Sequence, residues 1–496
     1  MKIFSANQIR EWEQYTIDNE PISSWALMER ASLQCTNWII QHAPTDQPIK
    51  IFCGKGNNGG DGLAIAAQLA ERKLQAEVYI LEFGTVGTAD FQNNLRRLHA
   101  LPVKLHFIQE PSFFPEISNN DLVIDALYGS GLNRPLQDLS AQLVQHINSS
   151  GARVVSIDLP SGMFADYSTI PHPVIVADYT LTFQVPKLCF LLPENEQFFG
   201  ELHVLPIGLH PAFFKNEEAH YHLVEPAFIK EIYKPRKRFS HKGTYGHCLV
   251  IAGETGKMGA ALLTTKACLR AGAGLVTALL DEQHLPIMQV AVPEAMVAMR
   301  NEMVDFSKYN SICIGPGLGT SAKAVKLVEL LLEKATTPLV LDADALNILA
   351  QRNDLLQSLP QQSILTPHPK EFERLFGKCS NDYERLVLAK KKAEELGVII
   401  ILKGHRTAIA QADQPIIFNS TGNPGMATGG SGDVLTGIIT ALLAQGYTPA
   451  NAAVLGVYLH GLSGDLAAKQ LSEEALIAGD IVRFLGEAYK KIRSLS

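Results

Sequence analysis

The sequence has little cysteine, no long hydrophobic run and no opening segment typical of export. Its seven cysteines include no C-x-x-C pair, which disfavours a disulfide scaffold or a cysteine zinc site and suits a reducing cytosol. No uninterrupted apolar run approaches the ~20 residues of a membrane-spanning helix, and the opening MKIFSANQIREWEQ lacks the apolar core of a signal peptide. We therefore expect a cytoplasmic protein with no membrane partner.

Excess positive charge is also absent. The formal net charge is -7, and the one basic cluster, residues 234–243, is short. Because binding to a phosphate backbone needs a concentrated basic face, we expect no nucleic-acid partner. No long charged or low-complexity tract indicates disorder. The 496 residues exceed what one hydrophobic core usually supports, so two or more domains are expected.

Short apolar runs rich in β-branched residues alternate with helical patterns through the first two hundred positions. The strand-like runs are residues 49–54, 76–81, 121–127 and 152–160. Such alternation predicts an α/β fold with a parallel sheet covered on both faces, a Rossmann-like three-layer sandwich.

The pattern becomes irregular between Pro211 and Pro226 and then resumes. We therefore predict one domain over residues 1–212 and a second α/β domain over residues 226–492. Strand-like runs of the second domain are residues 247–253, 273–280, 311–317, 337–344, 363–369 and 397–404.

A polar, glycine-rich segment, GKGNNGGDG, follows the first of these strands at residues 54–62. It predicts a turn between strand and helix, with Asn57 to Asp61 at the turn. The segment is not G-x-G-x-x-G, but its backbone amides suit a phosphate and its side-chain oxygens suit a cation or a ribose. A plain strand-to-helix turn is the alternative.

Two further strands of the first domain end in an acid, Asp125 and Asp158, and each acid is followed by small residues. Parallel strands share a direction, so both acids are expected at the same sheet edge as the GKGNNGGDG segment. With the amide-rich GSGLNRP, residues 129–135, they predict a nucleotide site that could include a hard cation. Either acid alone could instead cap a turn or a helix.

In the second domain, TGGSGDVLTG places three glycines and Asp433 before a buried helix. The unpaired amides of a helix start can bind an anion. Asp433 would then either cap the helix or take a proton from a hydroxyl beside a phosphate. His368 between two prolines suits either a positioned side chain or a helix entry. Lys403 and Arg406 suit either phosphate binding or a solvated loop.

The combination of motifs resembles a known family. GKGNNGGDG, VIDALYGSG and SIDLPSG resemble NAD(P)H-hydrate epimerases. IGPGLG, VLDADALNIL, LTPHPKEFERL, LKGHRT and GNPGMATGGSGDVLTG resemble ADP-dependent NAD(P)H-hydrate dehydratases, which have a ribokinase-like fold. In this order the motifs resemble the bifunctional bacterial repair enzymes over essentially the whole chain.

The resemblance implies repair of a damaged cofactor. NADH or NADPH that has gained water carries a hydroxyl next to the ring nitrogen, as R and S epimers of NADHX or NADPHX. The family's first half interconverts the epimers, and its second half removes water from the S form while ADP becomes AMP and phosphate. The cofactors implied are ADP, with ATP as an alternative, together with potassium and magnesium. The partners expected are these small molecules and further copies of the chain in a homo-oligomer.

The resemblance also implies roles for individual positions. Asp158 and Asp433 are the catalytic candidates, with Asp433 as general base. Residues that match the potassium site are Asn58, Asp125 and Ser161. Positions matching dinucleotide binding in the first domain are Asn57, Asn58, Gly59, Gly60, Asp61, Gly129, Ser130, Gly131, Leu132, Asn133, Arg134, Pro135 and Asp158. Those matching hydrate binding in the second are Ala260, Gly317, His368 and Asp433, and those matching adenine-nucleotide binding are Lys403, Gly404, His405, Arg406, Thr407 and Gly432.

Two other functions fit part of the sequence. A ribokinase-like kinase of a small vitamin alcohol would use the same glycine-rich helix start, but it would have no need of a second dinucleotide site. A non-catalytic nucleotide sensor would bind a dinucleotide in the first domain, but it would not need Asp158 or Asp433. Turnover of alcohols would support the first, and binding without turnover the second.

Overall fold

The computed structural model describes residues 1–44 and 46–494. The chain divides into two compact units. The N-terminal unit comprises residues 2–219 with 381–383, and the C-terminal unit comprises Met1, residues 220–380 and residues from 384 onward. Each unit is an α/β structure built on a largely parallel sheet, which confirms the fold class that the sequence predicts.

Strands and helices alternate through the N-terminal unit. They are β1 (Lys2–Ile3), α1 (Ala6–Asn19), α2 (Ser24–His42), β2 (Ile49–Cys53), α3 (Asn57–Glu71), β3 (Ala76–Leu81), α4 (Ala89–Leu98), β4 (Lys104–Ile108), β5 (Leu122–Ala126), α5 (Asp138–Asn148), β6 (Arg153–Ile157), β7 (Tyr179–Phe183), α6 (Glu196–Phe199), β8 (Glu201–Leu205) and α7 (Pro211–Asn216).

The sheet of this unit has the order β4-β3-β2-β5-β6-β7-β8, and its neighbouring strands are parallel. After β2 the chain runs outward in one direction through β3 and β4, and β5 then returns to the other side of β2. The gap between β2 and β5 is therefore a topological switch point, where a crevice opens beyond the carboxyl ends of the strands. The glycine-rich segment after β2 and the GSGLNRP segment after β5 meet there.

From residue 220 onward the elements are β9 (Tyr221–Leu223), α8 (Pro226–Ile232), β10 (His247–Ile251), α9 (Met258–Arg270), β11 (Leu275–Leu280), α10 (Leu285–Ala291), β12 (Met296–Met299), β13 (Ser311–Ile314), α11 (Ala322–Lys334), β14 (Leu339–Leu341), α12 (Asp344–Gln351), β15 (Ile364–Leu365), α13 (Pro369–Phe376), α14 (Asp382–Leu396), β16 (Ile399–Leu402), β17 (Ala408–Ala410), β18 (Ile416–Phe418), α15 (Ser431–Ala444), α16 (Pro449–Leu471) and α17 (Ala478–Arg493).

The sheet of the C-terminal unit includes the order β9-β18-β17-β16-β15-β14-β13-β10-β11-β12. Its strands are parallel from β16 to β12, whereas β16 and β18 each pair antiparallel with β17. Helix α15 packs against α9 and α16. Because it is enclosed by other elements, α15 is apolar and buried from Val434 onward except at Leu443, as a helix with no solvent-facing side should be.

One boundary differs from the sequence prediction. Helix α3 begins at Asn57, so the residues expected at the turn form the first turn of the helix itself. Close packing explains the early start, because a Cβ on Gly59 would lie 1.8 Å from the carbonyl oxygen of Gly54. Only glycine lets the helix begin this near the strand end.

The lengths and compositions of the helices bear on whether any of them could cross a membrane. In the part of the chain that the structure describes, none combines the length and the apolar character needed to cross a bilayer.

Candidate active sites

A cavity of about 520 Å³ lies at the switch point of the N-terminal unit. The first turn of α3, the loop after β5, Asp158 and the helices α1 and α2 contribute to its wall. The predicted residues that line it are Asn57, Asn58, Asp61, Gly129, Ser130, Gly131, Leu132, Asn133, Arg134 and Asp158. Three other predicted residues, Gly59, Gly60 and Pro135, do not line this cavity, and the two glycines are buried behind it.

Asp158 is a buried carboxylate held by a buried lysine. Its Oδ1 accepts a hydrogen bond of 2.6 Å from Lys187 Nζ, and its Oδ2 accepts one of 3.2 Å from the Ser130 amide. Burial raises the pKa of the Asp158 carboxyl, but the charge and hydrogen bond of Lys187 outweigh it, so this pKa lies below its ordinary value. Asp158 is therefore ionised at neutral pH and able to accept a proton.

The Asp158 backbone has an unusual conformation, with φ of 65°. A non-glycine residue rarely occupies this left-handed region, and such residues concentrate at functional sites. Lys187 also donates to Thr182 Oγ1 and to the Phe183 carbonyl oxygen. These contacts fix the direction in which the ammonium group meets Asp158.

Asp125, Asn58 and Ser161 form the predicted cation group beside this cavity. Asp125 is fully buried and accepts hydrogen bonds from Ser161, at 2.5 Å from its Oγ and 2.8 Å from its amide, and from Ser156. Burial nevertheless raises the pKa of Asp125. The side-chain oxygen and nitrogen of Asn58 are buried, and neither has a hydrogen-bond partner among the described residues.

An orphaned amide oxygen and a buried carboxylate are oxygen ligands, which suit a hard cation better than they suit zinc. In residues 1–44 and 46–494, no group of three or more His, Cys, Asp or Glu side chains is arranged to hold a metal ion.

Three charged residues in or beside this cavity were not identified from the sequence. Arg10 and Glu13 lie on α1 and line the cavity, and Lys187 is the buried partner of Asp158. Two of them belong to a helix that is far from the glycine-rich motifs in sequence. The sequence signal that could have indicated these two is an acid and a base among the apolar positions of α1.

A second cavity, of about 490 Å³, lies in the C-terminal unit. The predicted residues on its wall are His368, Lys403, Gly404, His405, Thr407 and Gly432. Arg406 is not on this wall, because its guanidinium turns away and donates to the Ser420 carbonyl oxygen at 3.2 Å. Ala260, Gly317 and Asp433 also lie off this wall, although a Cβ on Gly317 would be 3.0 Å from Ala260 Cβ.

The glycine-rich motif forms the start of α15. Gly430 is the N-cap residue, with φ of 90°, and no side chain caps the helix. The left-handed backbone explains the glycine, and the uncapped amides leave hydrogen-bond donors for an anion. Asp433 lies in the first turn, and burial together with the charge of Asp342 raises its pKa to about 7, against the opposing effect of Lys403. Its carboxyl group is thus close to half ionised at neutral pH, as suits a general base.

Lys403 connects this helix start to the sheet. Its Nζ donates to Asp342 Oδ1 at 2.8 Å, and a Cβ on Gly432 would lie 3.3 Å from the same Nζ. Asp342 is fully buried and also accepts a hydrogen bond of 2.7 Å from Thr436 Oγ1 on α15. The ammonium group is therefore held beside the open amides of α15, where a phosphate would meet both.

His368 is a helix cap that also reaches the cavity. It is the N-cap of α13, its Nδ1 accepts hydrogen bonds from the amides of Lys370 and Glu371, and its own amide donates to Glu371 Oε2. Both readings of this residue therefore hold, because the ring caps the helix and lines the cavity. With Nδ1 accepting, the neutral ring carries its proton on Nε2.

The sequence motifs did not include several other residues of this cavity. Asn419 and Thr421 line part of the wall just before the GNPGMATGGSGDVLTG motif, and His460 of α16 approaches Ser431. Burial lowers the pKa of His460 to about 4, so its ring is neutral. Asp342 lies in the quoted VLDADALNIL motif, but its pairing with Lys403 became evident only in the structure.

Comparison with known proteins gives matches over nearly the whole chain. Residues 248–485 match the family described as NAD(P)H-hydrate dehydratase, and residues 24–189 match the YjeF-related protein N-terminus. The bifunctional NAD(P)H-hydrate repair enzyme of Moorella thermoacetica is 37% identical over 508 residues, covering 98% of this chain and 96% of that protein. The enzyme of the same name from Coxiella burnetii is 36% identical over 97% of each chain.

A solved structure agrees with the second half. A ribokinase-like superfamily protein of Enterococcus faecalis is 32% identical, with a TM-score of 0.51, over 56% of this chain and 98% of that one. Its fold is the one expected for the C-terminal unit. Taken with the matches over the full length, this places the chain in the family of bifunctional NAD(P)H-hydrate repair enzymes.

Proposed function

We propose that the N-terminal cavity epimerises the R and S forms of NADHX and NADPHX, and that the C-terminal site dehydrates the S form with ADP or ATP. The observation that carries the proposal is that each unit places a carboxyl group beside an open, glycine-rich backbone, the buried Asp158 in one and the partly buried Asp433 in the other. Two separate sites with different carboxyl groups suit two steps on one substrate.

In the N-terminal site, the loop of residues 129–134 offers backbone amides to the pyrophosphate of the hydrated dinucleotide. Asn57 and Asp61 line the same cavity and would contact its polar groups. Asp158, ionised by its pairing with Lys187, would face the damaged ring as a proton acceptor. The loop and the carboxylate are in contact, because the Ser130 amide donates to Asp158 Oδ2.

Potassium fits the group formed by Asn58, Asp125 and Ser161. The Asn58 side-chain oxygen would gain a partner, and the buried Asp125 carboxylate would gain a counter-charge. The cation would supply positive charge near the phosphates of the dinucleotide when bound. Rates of epimerisation measured in potassium and in tetramethylammonium chloride test this part, since an ionic-strength effect alone would leave the two rates equal.

In the C-terminal site, Lys403, Gly404, His405, Arg406, Thr407 and Gly432 are the residues proposed to bind the adenine nucleotide, which would bring magnesium with its phosphates. Asp433 would take the proton of the hydrate's hydroxyl as this oxygen receives a phosphoryl group. With ADP as donor, AMP leaves, and phosphate then departs with the former hydroxyl oxygen. Ala260, Gly317 and His368 would hold the hydrate beside Asp433.

The amides at the start of α15 and the ammonium group of Lys403 would stabilise the negative charge of the transferred phosphoryl group. This geometry explains why an acid stands next to a phosphate-binding backbone. Asp433 would accept the proton of the hydroxyl, whereas the amides at the glycines and the Lys403 ammonium group would stabilise the phosphate.

The test supplies the purified chain with a mixture of R and S NADHX, ADP or ATP, magnesium and potassium. Return of the near-ultraviolet absorbance of reduced nicotinamide and release of phosphate are followed together. Full recovery of both epimers is expected, and Asp158→Ala should recover only the S share. No recovery with either nucleotide would overturn the proposal, and phosphorylation of a panel of alcohols would then favour the kinase.

A further inference from the structure

The N-terminal cavity contains a second carboxyl group, Glu13, which nothing so far explains. Glu13 lines the same cavity as Asp158. No residue of the described chain forms a hydrogen bond or an ion pair with it, although Arg10 lines the cavity as well. A partly buried acid without a partner loses hydration and gains no hydrogen bond in return, so it is not expected to persist for stability alone.

Glu13 is an acid at a position of α1 where the helix pattern predicts an apolar residue. Helix α1 buries Ile9, Trp12 and Thr16. Glu13 follows Ile9 by four residues and precedes Thr16 by three, so it shares the buried face of the helix. By contrast Glu11, two residues earlier, is exposed and accepts a hydrogen bond from Asn7.

The surroundings shift the pKa values of the two cavity carboxyls in opposite directions. Burial and the charge of Asp158 raise the pKa of Glu13 to about 7, while Lys187 and Arg10 oppose the rise. Lys187 holds Asp158 ionised. A substantial fraction of Glu13 is therefore protonated where Asp158 is not, the arrangement expected of an acid and a base that work together.

The reaction proposed for this cavity needs both kinds of group. The hydroxyl lies next to the ring nitrogen, so its C–O bond can break when an acid protonates the oxygen and the nitrogen lone pair forms an iminium ion. Water then adds to the other face, its oxygen bonds to the same carbon, and a base takes its extra proton. One carboxyl cannot serve both faces of the ring, because departure and addition occur on opposite sides.

We propose that Glu13 is the second catalytic residue of epimerisation, which protonates the departing hydroxyl while Asp158 accepts the proton from the incoming water. The inference rests on the proposed epimerase function and adds the acid to it. One water leaves and one enters, so atoms balance, and the reverse reaction uses the same two groups with their roles exchanged. The proton on Asp158 returns to Glu13 through water before the next turnover.

The experiment uses the full chain with R-enriched NADHX, ADP, magnesium and potassium, so that recovery of NADH requires epimerisation first. S-enriched NADHX tests dehydration by the same molecules and serves as the internal control for folding. After subtraction of the rate without protein, Glu13→Gln is expected to lower the R-dependent rate by about 100-fold and to leave the S-dependent rate unchanged. Glu11→Gln, on the exposed face of the same helix, should alter neither rate.

A pH profile separates a catalytic acid from a structural residue. For the unaltered chain, the kcat/KM for the R epimer should fall as pH rises through about 7, the value for Glu13. Asp158, Lys187, Arg10 and Asp61 are the charged or titratable groups that act on Glu13. The remaining rate of Glu13→Gln should not fall over this pH range. Glu13→Asp should recover part of the rate, and that rate should again fall as pH rises.

The outcomes distinguish the two claims. An unaltered R-dependent rate and pH profile in Glu13→Gln would overturn the role of Glu13 alone. Failure of the unaltered chain to convert the R epimer, while it dehydrates the S epimer, would overturn the epimerase function and with it this inference.

Discussion

Lys187 Nζ donates to Asp158 Oδ1 at 2.6 Å, and both side chains are buried beside the N-terminal cavity. The attraction between them offsets the cost of taking two charges out of water, but only while both are present. The pair also keeps the Asp158 carboxylate ionised and fixes its orientation. Its effect on stability and its effect on catalysis can therefore be separated by experiment.

Lys187→Met is predicted to abolish epimerisation and to lower stability. Asp158 would be left buried without its cation, which costs about 3–5 kcal/mol in the free energy of unfolding. Urea unfolding measures the stability, and recovery of NADH from R-enriched NADHX measures the activity. Lys187→Met with Asp158→Asn should regain much of the stability without regaining activity, because no charge is then left unpaired.

A matched pair elsewhere in the same sheet controls for loss of an ion pair. Lys50 Nζ lies 2.6 Å from Asp121 Oδ2, and neither residue lines the cavity. Lys50→Met should lower stability but retain epimerisation. Retained epimerisation in Lys187→Met would contradict the role given to the buried pair.

Asp433→Asn is predicted to lower the rate of S-NADHX dehydration by about 100- to 10,000-fold, because the amide cannot take the proton of the hydroxyl. Nucleotide binding, measured by calorimetry with ADP, should persist. Asp480→Asn is the control, since Asp480 also lies in the first turn of a helix and accepts from the Ile477 amide. A similar loss of dehydration rate in both variants would indicate that Asp433 has only a structural role.

Gly432→Ala is predicted to raise the KM for the nucleotide. The new Cβ would lie 3.3 Å from Lys403 Nζ, so the ammonium group must shift away from the helix start. Overpacking of this kind costs about 1–3 kcal/mol, which corresponds to roughly a 5- to 150-fold change in affinity. Gly479→Ala, where an added Cβ meets no atom within 4 Å, should leave the KM unchanged. Equal KM values for all three chains would exclude a close approach of nucleotide at Gly432.

Stability should depend on pH through Asp433. Its pKa is raised from 3.8 to about 7 in the folded chain. Between these values the folded state binds more protons than the unfolded state, so stability falls as pH rises through this window. Asp433→Asn removes the dependence, and its Tm relative to the unaltered chain should increase from pH 5 to pH 9. In free energy of unfolding, the upper bound on this gain is about 3 kcal/mol, before solvent screening is considered.

The same measurement on Asp480→Asn gives the baseline for removing an acid from a helix start. An Asp433→Asn chain that follows this baseline at both pH values would contradict the raised pKa.

Many strands and motifs of this protein could be predicted from the sequence. The runs at residues 49–54 and 311–317 became strands β2 and β13, because buried parallel strands are apolar throughout and stand out from the helices between them. Several other strands were missed, among them the edge strand β4 and the short strand β17, which lies between β16 and β18. The alternation in β4, whose residues are mostly exposed, and the shortness of β17 leave little hydrophobic signal.

The sequence by itself determined the fold class, the two glycine-rich segments proposed to bind phosphate and the candidate carboxylates Asp158 and Asp433, because these depend on local patterns that are close together in the chain. Only the tertiary structure brought Lys187 to Asp158, Lys403 to Asp342 and Glu13 into the N-terminal cavity. Burial and neighbouring charge set the protonation of each carboxyl. Both depend on residues distant in sequence, so no local motif could reveal which acid is ionised and which holds its proton.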